Sequence, residues 1–556
     1  MVRANCRCLR QPWWQFVANW RISCLWEEKG FALGAPDTES ALGKLKLDPF
    51  ITDESSPAEL ITTHISWVLR GPNKVIKLKR PVHYEFLDFS TLHARHTACL
   101  EELRVNQSLA PDVYGGLLTL SWDGGQPTFG EKGKVMDYAV LMRRLADEGA
   151  ASVRLAEGRL SLAHIEALAQ RLAAFYKAAP RVDAAAEPET VARLFLRNFD
   201  ELHHLQADGV THAQIAEVRE RAISCLKALR DRLEHRLQIG ASCDGHGDLR
   251  LEHVYFEGPS LLPIVIDAVE FNTAFRCGDR ALDAAFFAME LELAGSPDVA
   301  AWFWSCLARS LNDYSFYPLI DLYVMYRASV RAKVAAITGM ATDAPAEKRA
   351  KKQRESVALW DLARRAALGL HAGSPSVVCV GGVVGAGKSF LADTLGPHLY
   401  GAVVSSDRMR KALAGLAPTQ RARAEHYTEA FSQRTLQAML GAAQDVLASG
   451  RTVVLDATFR TASWRSAFAQ LASKHHAPFL FVQAHCSDEI IRERLRARAT
   501  EPSVSDAREE QLDSISKQFE APTELATREH LVANTEGSLA DVLAQVRQRL
   551  SSWVPN

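Results

Sequence analysis

The 556-residue chain has no run of about 18 uncharged apolar residues, the usual mark of a membrane-spanning helix. It also lacks an excess of either charge. Lys+Arg 65 against Asp+Glu 66 leave a formal net charge of −1 at pH 7. Non-specific wrapping of duplex nucleic acid needs a basic surplus to displace counterions, so only a local basic groove stays open. The ten cysteines are scattered and never form a CxxC pair, which argues against a zinc ribbon and against a disulfide framework. Reduced thiols in the cytoplasm are the simplest expectation. No short internal repeat occurs. With 47% hydrophobic and 24% charged residues, the composition is that of an ordinary soluble globular protein. The length fits three or four domains, or two large ones.

Residues 1–47 stand apart. Trp13, Trp14, Trp20 and Trp26 are interleaved with Arg3, Arg7, Arg10 and Arg21, and the apolar stretch is too short and interrupted for a secretory core. A poorly structured extension, an amphipathic surface helix and a translated leader all fit. We expect a non-core extension without chemistry.

From Glu59 the pattern changes. LITTHISWVL and KVIKLKR are β-branched runs split by Gly71-Pro72-Asn73, which reads as a hairpin. A helical period follows from Ser90 to Leu109 and stops at Ala110-Pro111. LLTLSW and YAVLMRR read as two more strands. Residues 162–237 are mostly helical in period, CDGHGDLRLEHVYF and PIVIDAVEF form two loop-strand units, and helices run on to about Leu370. A small strand-rich lobe before a large helical lobe is expected over 48–345. The charged run EKRAKKQRESVALWDLARRAA reads as a solvated helical linker, 346–374. Beyond it, SVVCVGG, AVVSSD, TVVLDAT and FLFVQAH alternate with helical stretches. Such alternation predicts a parallel sheet covered on both faces, a three-layer α/β/α domain over 375–556.

SVVCVGGVVGAGKSFLADTL carries the spacing GxxxxGK[ST], with Gly382, Gly385, Ala386, Gly387, Lys388 and Ser389. Glycines let successive backbone N–H groups turn toward a phosphate. The following helix presents its positive end, the lysine reaches the outer phosphates, and the serine hydroxyl can bind Mg²⁺. Asp407 in VVSSDRMRKAL ends the next strand, where a carboxylate can accept a proton from an attacking hydroxyl, and Arg410 one turn later can hold an anionic substrate group. Asp456 in RTVVLDATF suits Mg²⁺ or its water shell. Arg492, Arg494 and Arg498 could close over the phosphates; solvated helix positions are the plainer alternative. These stretches resemble the small-molecule and polynucleotide kinases of the P-loop class, including gluconate kinase-like, zeta-toxin-like and polynucleotide 5′-kinase-like proteins. The resemblance spans about 376–556. It implies that Asp407 activates the acceptor hydroxyl.

A second constellation lies upstream. His246, Gly247 and Asp248 stand in CDGHGDLRLEHVYF, Asp267 in PIVIDAVEF, and Gly278, Asp279 and Asp283 in GDRALDAAFF. Transfer to a hydroxyl needs one carboxylate to orient the proton and another to hold Mg²⁺. Lys77 could neutralise the phosphates and Glu102 could orient it, although spacing leaves Lys79 and Glu101 open, since strand alternation puts both lysines on one face. The order of these parts resembles the aminoglycoside phosphotransferase and choline kinase-like family over about 61–340. That resemblance implies a two-lobed protein-kinase-like fold, with Asp248 as base and Asp267 as metal ligand. His253 replaces the asparagine that the pattern HGDxxxxN expects at the second metal contact. Imidazole can ligate a divalent ion but suits Mg²⁺ less well than oxygen does.

The whole chain thus resembles a bacterial fusion of an aminoglycoside phosphotransferase-like half with an AAA-type P-loop half, a mixed α/β and α+β architecture. ATP and Mg²⁺ are the expected cofactors. The expected activity is transfer of the ATP γ-phosphate to a hydroxyl of a small molecule, or to a nucleic-acid 5′ end, without membrane involvement. The alternative is a nucleotide-dependent switch with slow ATP hydrolysis and a degenerate kinase-like sensor half. Trp302, Trp304 and the histidine pairs His203-His204 and His475-His476 read as core or surface residues.

Overall fold

The computed structural model describes residues 37–45, 50–51, 58–84, 87–203, 210–340, 345–370, 373–499, 503–506, 508–509 and 512–552. The Trp- and Arg-rich stretch falls outside the described residues.

The first lobe is a six-stranded antiparallel sheet. Glu59–Thr62, Ser66–Arg70 and Lys74–Lys79 follow each other in the sheet. Lys134–Arg143 lies beside the third, followed by Tyr114–Trp122 and Pro127–Phe129. The Gly71-Pro72-Asn73 turn joins the second and third strands as expected, while LITTHISWVL divides into two strands around His64. Helix Leu92–Gln107 covers one face. Thr91 caps it by accepting the Ala94 N–H at 3.1 Å, and Ala98, Cys99, Leu103 and Asn106 are buried.

Helix Thr38–Leu45 corrects the reading of 1–47 as wholly non-core. Its residues Ala41, Leu42 and Leu45 are buried against Trp67, Leu69, Leu78 and Leu120 of the sheet. The Thr38 hydroxyl donates to Asp137 at 3.1 Å, the carboxylate that also receives Arg95. Short as it is, this helix presents enough apolar surface to be drawn onto the lobe.

The helical lobe contains Leu162–Ala178, Arg280–Leu293, Pro297–Leu311 and Ile320–Met340. Trp302, Phe303, Trp304 and Phe287 are core residues. The segment expected to be a solvated linker is the helix Ala346–Ala367, and it belongs to this lobe. Ser356, Leu359, Trp360, Leu362 and Ala363 are buried, the Ser356 hydroxyl donates to the Ala332 carbonyl at 2.9 Å, and Arg364 pairs with Glu217 at 3.1 Å. The charged residues occupy the other face. Counting charges along the run hid an apolar stripe at helical spacing.

The second half is a five-stranded, all-parallel sheet with helices Lys388–His398 and Leu539–Ser551 on one face and Glu429–Ala448 and Ala462–Lys474 on the other. The strands lie in the order Ala402–Ser405, Val453–Asp456, Val377–Gly381, Phe479–His485, His530–Asn534. The first strand in the sequence is therefore central, and chain order reverses beside it. Crevices at the carboxyl ends of strands at such a reversal are where open α/β sheets bind ligands. The fifth strand was not expected; HLVAN is short, and two of its five residues are exposed.

The outer strand Ala402–Ser405 leaves one edge of the sheet unpaired by backbone. Helix Pro297–Leu311 and the turn after it cover that edge. Ser305 Oγ accepts the Val403 N–H at 2.9 Å and the Tyr314 hydroxyl donates to the Val403 carbonyl at 2.9 Å. Arg309 reaches Asp393 of the P-loop helix at 2.6 Å. One continuous apolar core runs through both halves.

Candidate functional sites

In the two-lobed half, strand Lys74–Lys79 turns both lysines toward helix Leu92–Gln107. Lys77 Nζ is 2.8 Å from Glu102 and 2.7 Å from Asp267. Lys79 Nζ is 2.6 Å from the other Glu102 oxygen and also pairs with Glu270. Only Lys77 reaches Asp267, and Glu101 turns away to Arg104 and Arg276. Of the pairs the sequence leaves open, Lys77 and Glu102 are the ones facing the site. Burial disfavours charge on both lysines, yet Asp267 and Glu102 raise Lys77 above its ordinary value, and Glu102 with Glu270 raises Lys79. Burial likewise opposes ionisation of Glu102 and Asp267; Lys77 and Lys79 overcome it at Glu102, and Lys77 together with His253 at Asp267, holding both carboxyls below their usual range.

Asp267 adopts φ +64°, a left-handed conformation that is unusual without glycine. Its N–H donates to the Tyr114 hydroxyl at 3.0 Å, and the next N–H, of Ala268, donates to Asn106 Oδ1 at 2.8 Å. These two groups hold the strained turn. The loop His246–Asp248 is fixed from below by Asp283, which accepts the N–H of His246 at 2.9 Å and of Gly247 at 2.7 Å. The His246 ring ties this loop to the Asp267 strand: Nε2 donates to the Ile266 carbonyl at 2.9 Å, and Nδ1 accepts the Asp248 N–H at 3.2 Å. Burial lowers the affinity of His246 for a second proton, consistent with a neutral ring that donates once and accepts once. His253 brings Asp248 and Asp267 together, its ring nitrogens 3.7 Å from Asp248 Oδ2 and 3.6 Å from Asp267 Oδ2. Tyr114, Asn106 and Glu270 gave no signal in sequence, because their roles exist only once separate elements meet.

In the second half, the loop after Val377–Gly381 is built as the motif implies. Gly382, Gly385 and Gly387 take φ +129°, +80° and +88°. A Cβ on Gly382 would lie 2.5 Å from the Ala484 carbonyl oxygen, so glycine is required for space as well as for φ. Helix Lys388–His398 begins directly after the loop, its N-cap being Gly387. Lys388 Nζ donates to the Val383 carbonyl at 2.8 Å, so the amine lies over the loop. Burial pushes the Asp456 carboxyl up to about 6, against the opposing pull of Lys388 and Ser389. Asp407 opens helix Ser406–Leu413, two residues beyond the outer strand, and its charge is felt by both Asp456 and Arg410.

Arg410 rests on the turn Ala424–Tyr427. It is buried, its Nη1 donates to the His426 carbonyl at 2.6 Å, and its guanidinium lies 4.8 Å from the centre of the Tyr427 ring. Its buried Nε lacks a hydrogen-bond partner. Arg494 sits beside the glycine loop: it donates to Thr535 Oγ1 at 3.1 Å, and that hydroxyl donates to the Ala386 carbonyl at 2.9 Å. Arg492 faces Glu509 at 3.4 Å instead. The Arg498 side chain lies outside the described residues. Thr535 follows the unexpected fifth strand, so the sequence offered no reason to select it.

A donor set of Ser389 and Asp456 is all oxygen and fits Mg²⁺, which prefers hard oxygen ligands. Asp267 offers oxygen and His253 nitrogen. Among the described residues no three His, Cys, Asp or Glu side chains converge on one metal position, so an ion at either site needs further donors from water or a bound nucleotide.

Residues 377–522 match the AAA domain family. That stretch is a nucleotide-binding P-loop domain. Uncharacterized proteins of Mycobacterium tuberculosis and Mycobacterium bovis are each 29% identical over 460 residues, covering 81% of this chain and 88% of theirs. Among solved structures, a gluconokinase from Sinorhizobium meliloti aligns over 32% of this chain and 92% of its own, at 18% identity and TM-score 0.24. A choline/ethanolamine kinase family protein from Mesorhizobium loti aligns over 59% of this chain and 98% of its own, at 13% identity and TM-score 0.35. Among the described residues, no helix is long and apolar enough to cross a membrane.

Proposed function

We propose that the chain is a cytoplasmic phosphotransferase in which the P-loop half moves the γ-phosphate of ATP to an acceptor hydroxyl, and the two-lobed half holds a second ATP. One observation carries the reading. Lys388, Ser389, Asp456 and Asp407 come together at the carboxyl edge of the parallel sheet, beside the reversal of strand order. The loop N–H groups and Lys388 would grip the β- and γ-phosphates, and Arg494 stands at the same loop to meet charge on the transferring group. Ser389 and Asp456 would hold Mg²⁺, which when bound neutralises phosphate charge. Asp407 would take the proton of the acceptor hydroxyl as the new O–P bond forms and the γ-phosphorus parts from the β–γ bridging oxygen, which leaves with ADP. In the other half Lys77 and Asp267 would hold nucleotide and metal, while Asp248 faces the acceptor.

The acceptor is a hydroxyl compound, or a nucleic acid only through its 5′ end. Full-length protein with γ-labelled ATP is offered sugars, aminoglycosides, nucleosides and 5′-hydroxyl oligonucleotides. Label appearing on an acceptor, and lost in Asp407→Asn, supports the reading. Release of inorganic phosphate alone, at a rate indifferent to acceptors, refutes it and favours a nucleotide-driven switch.

A further inference from the structure

His253 stands at the end of the short turn Leu251–His253, and its Nδ1 lies 2.8 Å from the backbone carbonyl oxygen of Asp248. A carbonyl oxygen accepts and cannot donate, so this contact places the ring proton on Nδ1. In the neutral ring the Nε2 lone pair is then available for another role. It lies 3.6 Å from Asp267 Oδ2, with the more exposed Glu252 Oε1 at 3.8 Å. The other Asp267 oxygen, Oδ1, is taken by Lys77, so Oδ2 and Nε2 are the two atoms left facing each other.

The ring is also held in place. His253 is only 8% exposed, and its carbonyl accepts the Ile266 N–H at 2.9 Å, next to Asp267 itself. A backbone carbonyl that orients one imidazole nitrogen, leaving the other to ligate, is the usual outer-shell arrangement of histidine metal ligands. Two bonds of about 2.1 Å reach across a gap of this size. His246, seven residues earlier, carries the opposite tautomer through its own carbonyl contact and has no nitrogen left over.

We propose that the metal accompanying ATP in the two-lobed half is held by His253 Nε2 together with Asp267 Oδ2, and that this nitrogen–oxygen pair selects Mn²⁺ over Mg²⁺. The inference rests on the reading that this half binds ATP. Mg²⁺ demands oxygen and sheds water reluctantly, whereas Mn²⁺ accepts imidazole beside carboxylate and phosphate oxygens. A stand-alone zinc cage is not available, since no third protein donor converges there among the described residues; phosphate oxygens and water would complete the shell. The P-loop site, with Ser389 and Asp456, is all oxygen and keeps Mg²⁺. The two halves thus differ in the ion they select.

The test is pulsed electron paramagnetic resonance on full-length protein loaded with Mn²⁺ and a non-hydrolysable ATP analogue, prepared with natural-abundance or ¹⁵N-labelled histidine. A directly bound imidazole gives ¹⁴N modulation that changes to the ¹⁵N pattern on labelling and vanishes in His253→Asn. The same substitution should lower the Mn²⁺-over-Mg²⁺ affinity ratio at this site by about 10-fold or more. Two Mn²⁺–nucleotide complexes per chain without histidine coupling would overturn the metal assignment alone, as would coupling that persists in His253→Asn. A single complex per chain, abolished by Lys388→Ala, would overturn the second ATP site and this inference with it.

Discussion

The two candidate nucleotide sites place their lysines in opposite ways. Lys77 is fastened by carboxylates from two other elements, Glu102 on the neighbouring helix and Asp267 190 residues away. Lys388 lies on the Val383 carbonyl of its own loop, five residues back. The first site is an electrostatic assembly that exists only when both lobes are docked. The second is written in local backbone geometry, through three glycines at positive φ. A charged group shared among distant elements is costly to leave half-paired, so the first site should tolerate substitution of its ion pairs poorly. The second should respond most to changes in the glycine loop.

That contrast can be broken in order of size. Lys388→Ala should abolish nucleotide binding at the P-loop half, at least about 100-fold, while Asp248→Ala leaves that half intact; calorimetric titration with Mg²⁺–ATP counts the sites in each variant. Loss of all binding in Lys388→Ala would mean that the sites are not independent. Asp407→Asn should lower turnover by about 100- to 10,000-fold with little change in ATP affinity, read from initial rates at saturating nucleotide. Gly382→Ala should cost about 3 kcal/mol, because the new Cβ meets the Ala484 carbonyl; denaturant melts measure it. A smaller effect, about 1 to 3 kcal/mol, is expected for Ser305→Ala, which leaves the Val403 N–H unpaired.

The weakest effect is a pH dependence. The Glu102 carboxyl is held below its ordinary value by the two lysines despite burial. Its stabilisation is therefore fully present above the usual glutamate range and is lost as pH falls through the lowered value. Thermal melts of the wild-type chain should drop below about pH 4.5, with a shallower slope in Glu102→Gln. Equal slopes would remove Glu102 from the account.

Legibility in the sequence followed the same divide. The glycine loop, the four strands around it and the positions of Asp407 and Asp456 could be read because each depends on neighbours within a few residues. The order of Lys77, Asp248 and Asp267 was legible as a pattern, but alternation along one strand could not separate Lys77 from Lys79. Both face Glu102, and only docking of the Asp267 turn decides between them. Ala346–Ala367 misled because charge dominated the run while Leu359, Trp360 and Ala363 recurred quietly at helical spacing. Thr535 and Tyr114 could not be found at all: a lone hydroxyl acquires its role from what folding brings to it.

Capping of the Val403 backbone by Ser305 and Tyr314 has a consequence for how such a protein can be dissected. Cut between its halves, the carboxy-terminal piece would bare a strand margin ready to pair with another copy, together with the apolar surface that Trp302 and its neighbours now cover. Gene fission at this junction should therefore yield insoluble fragments unless both are coexpressed.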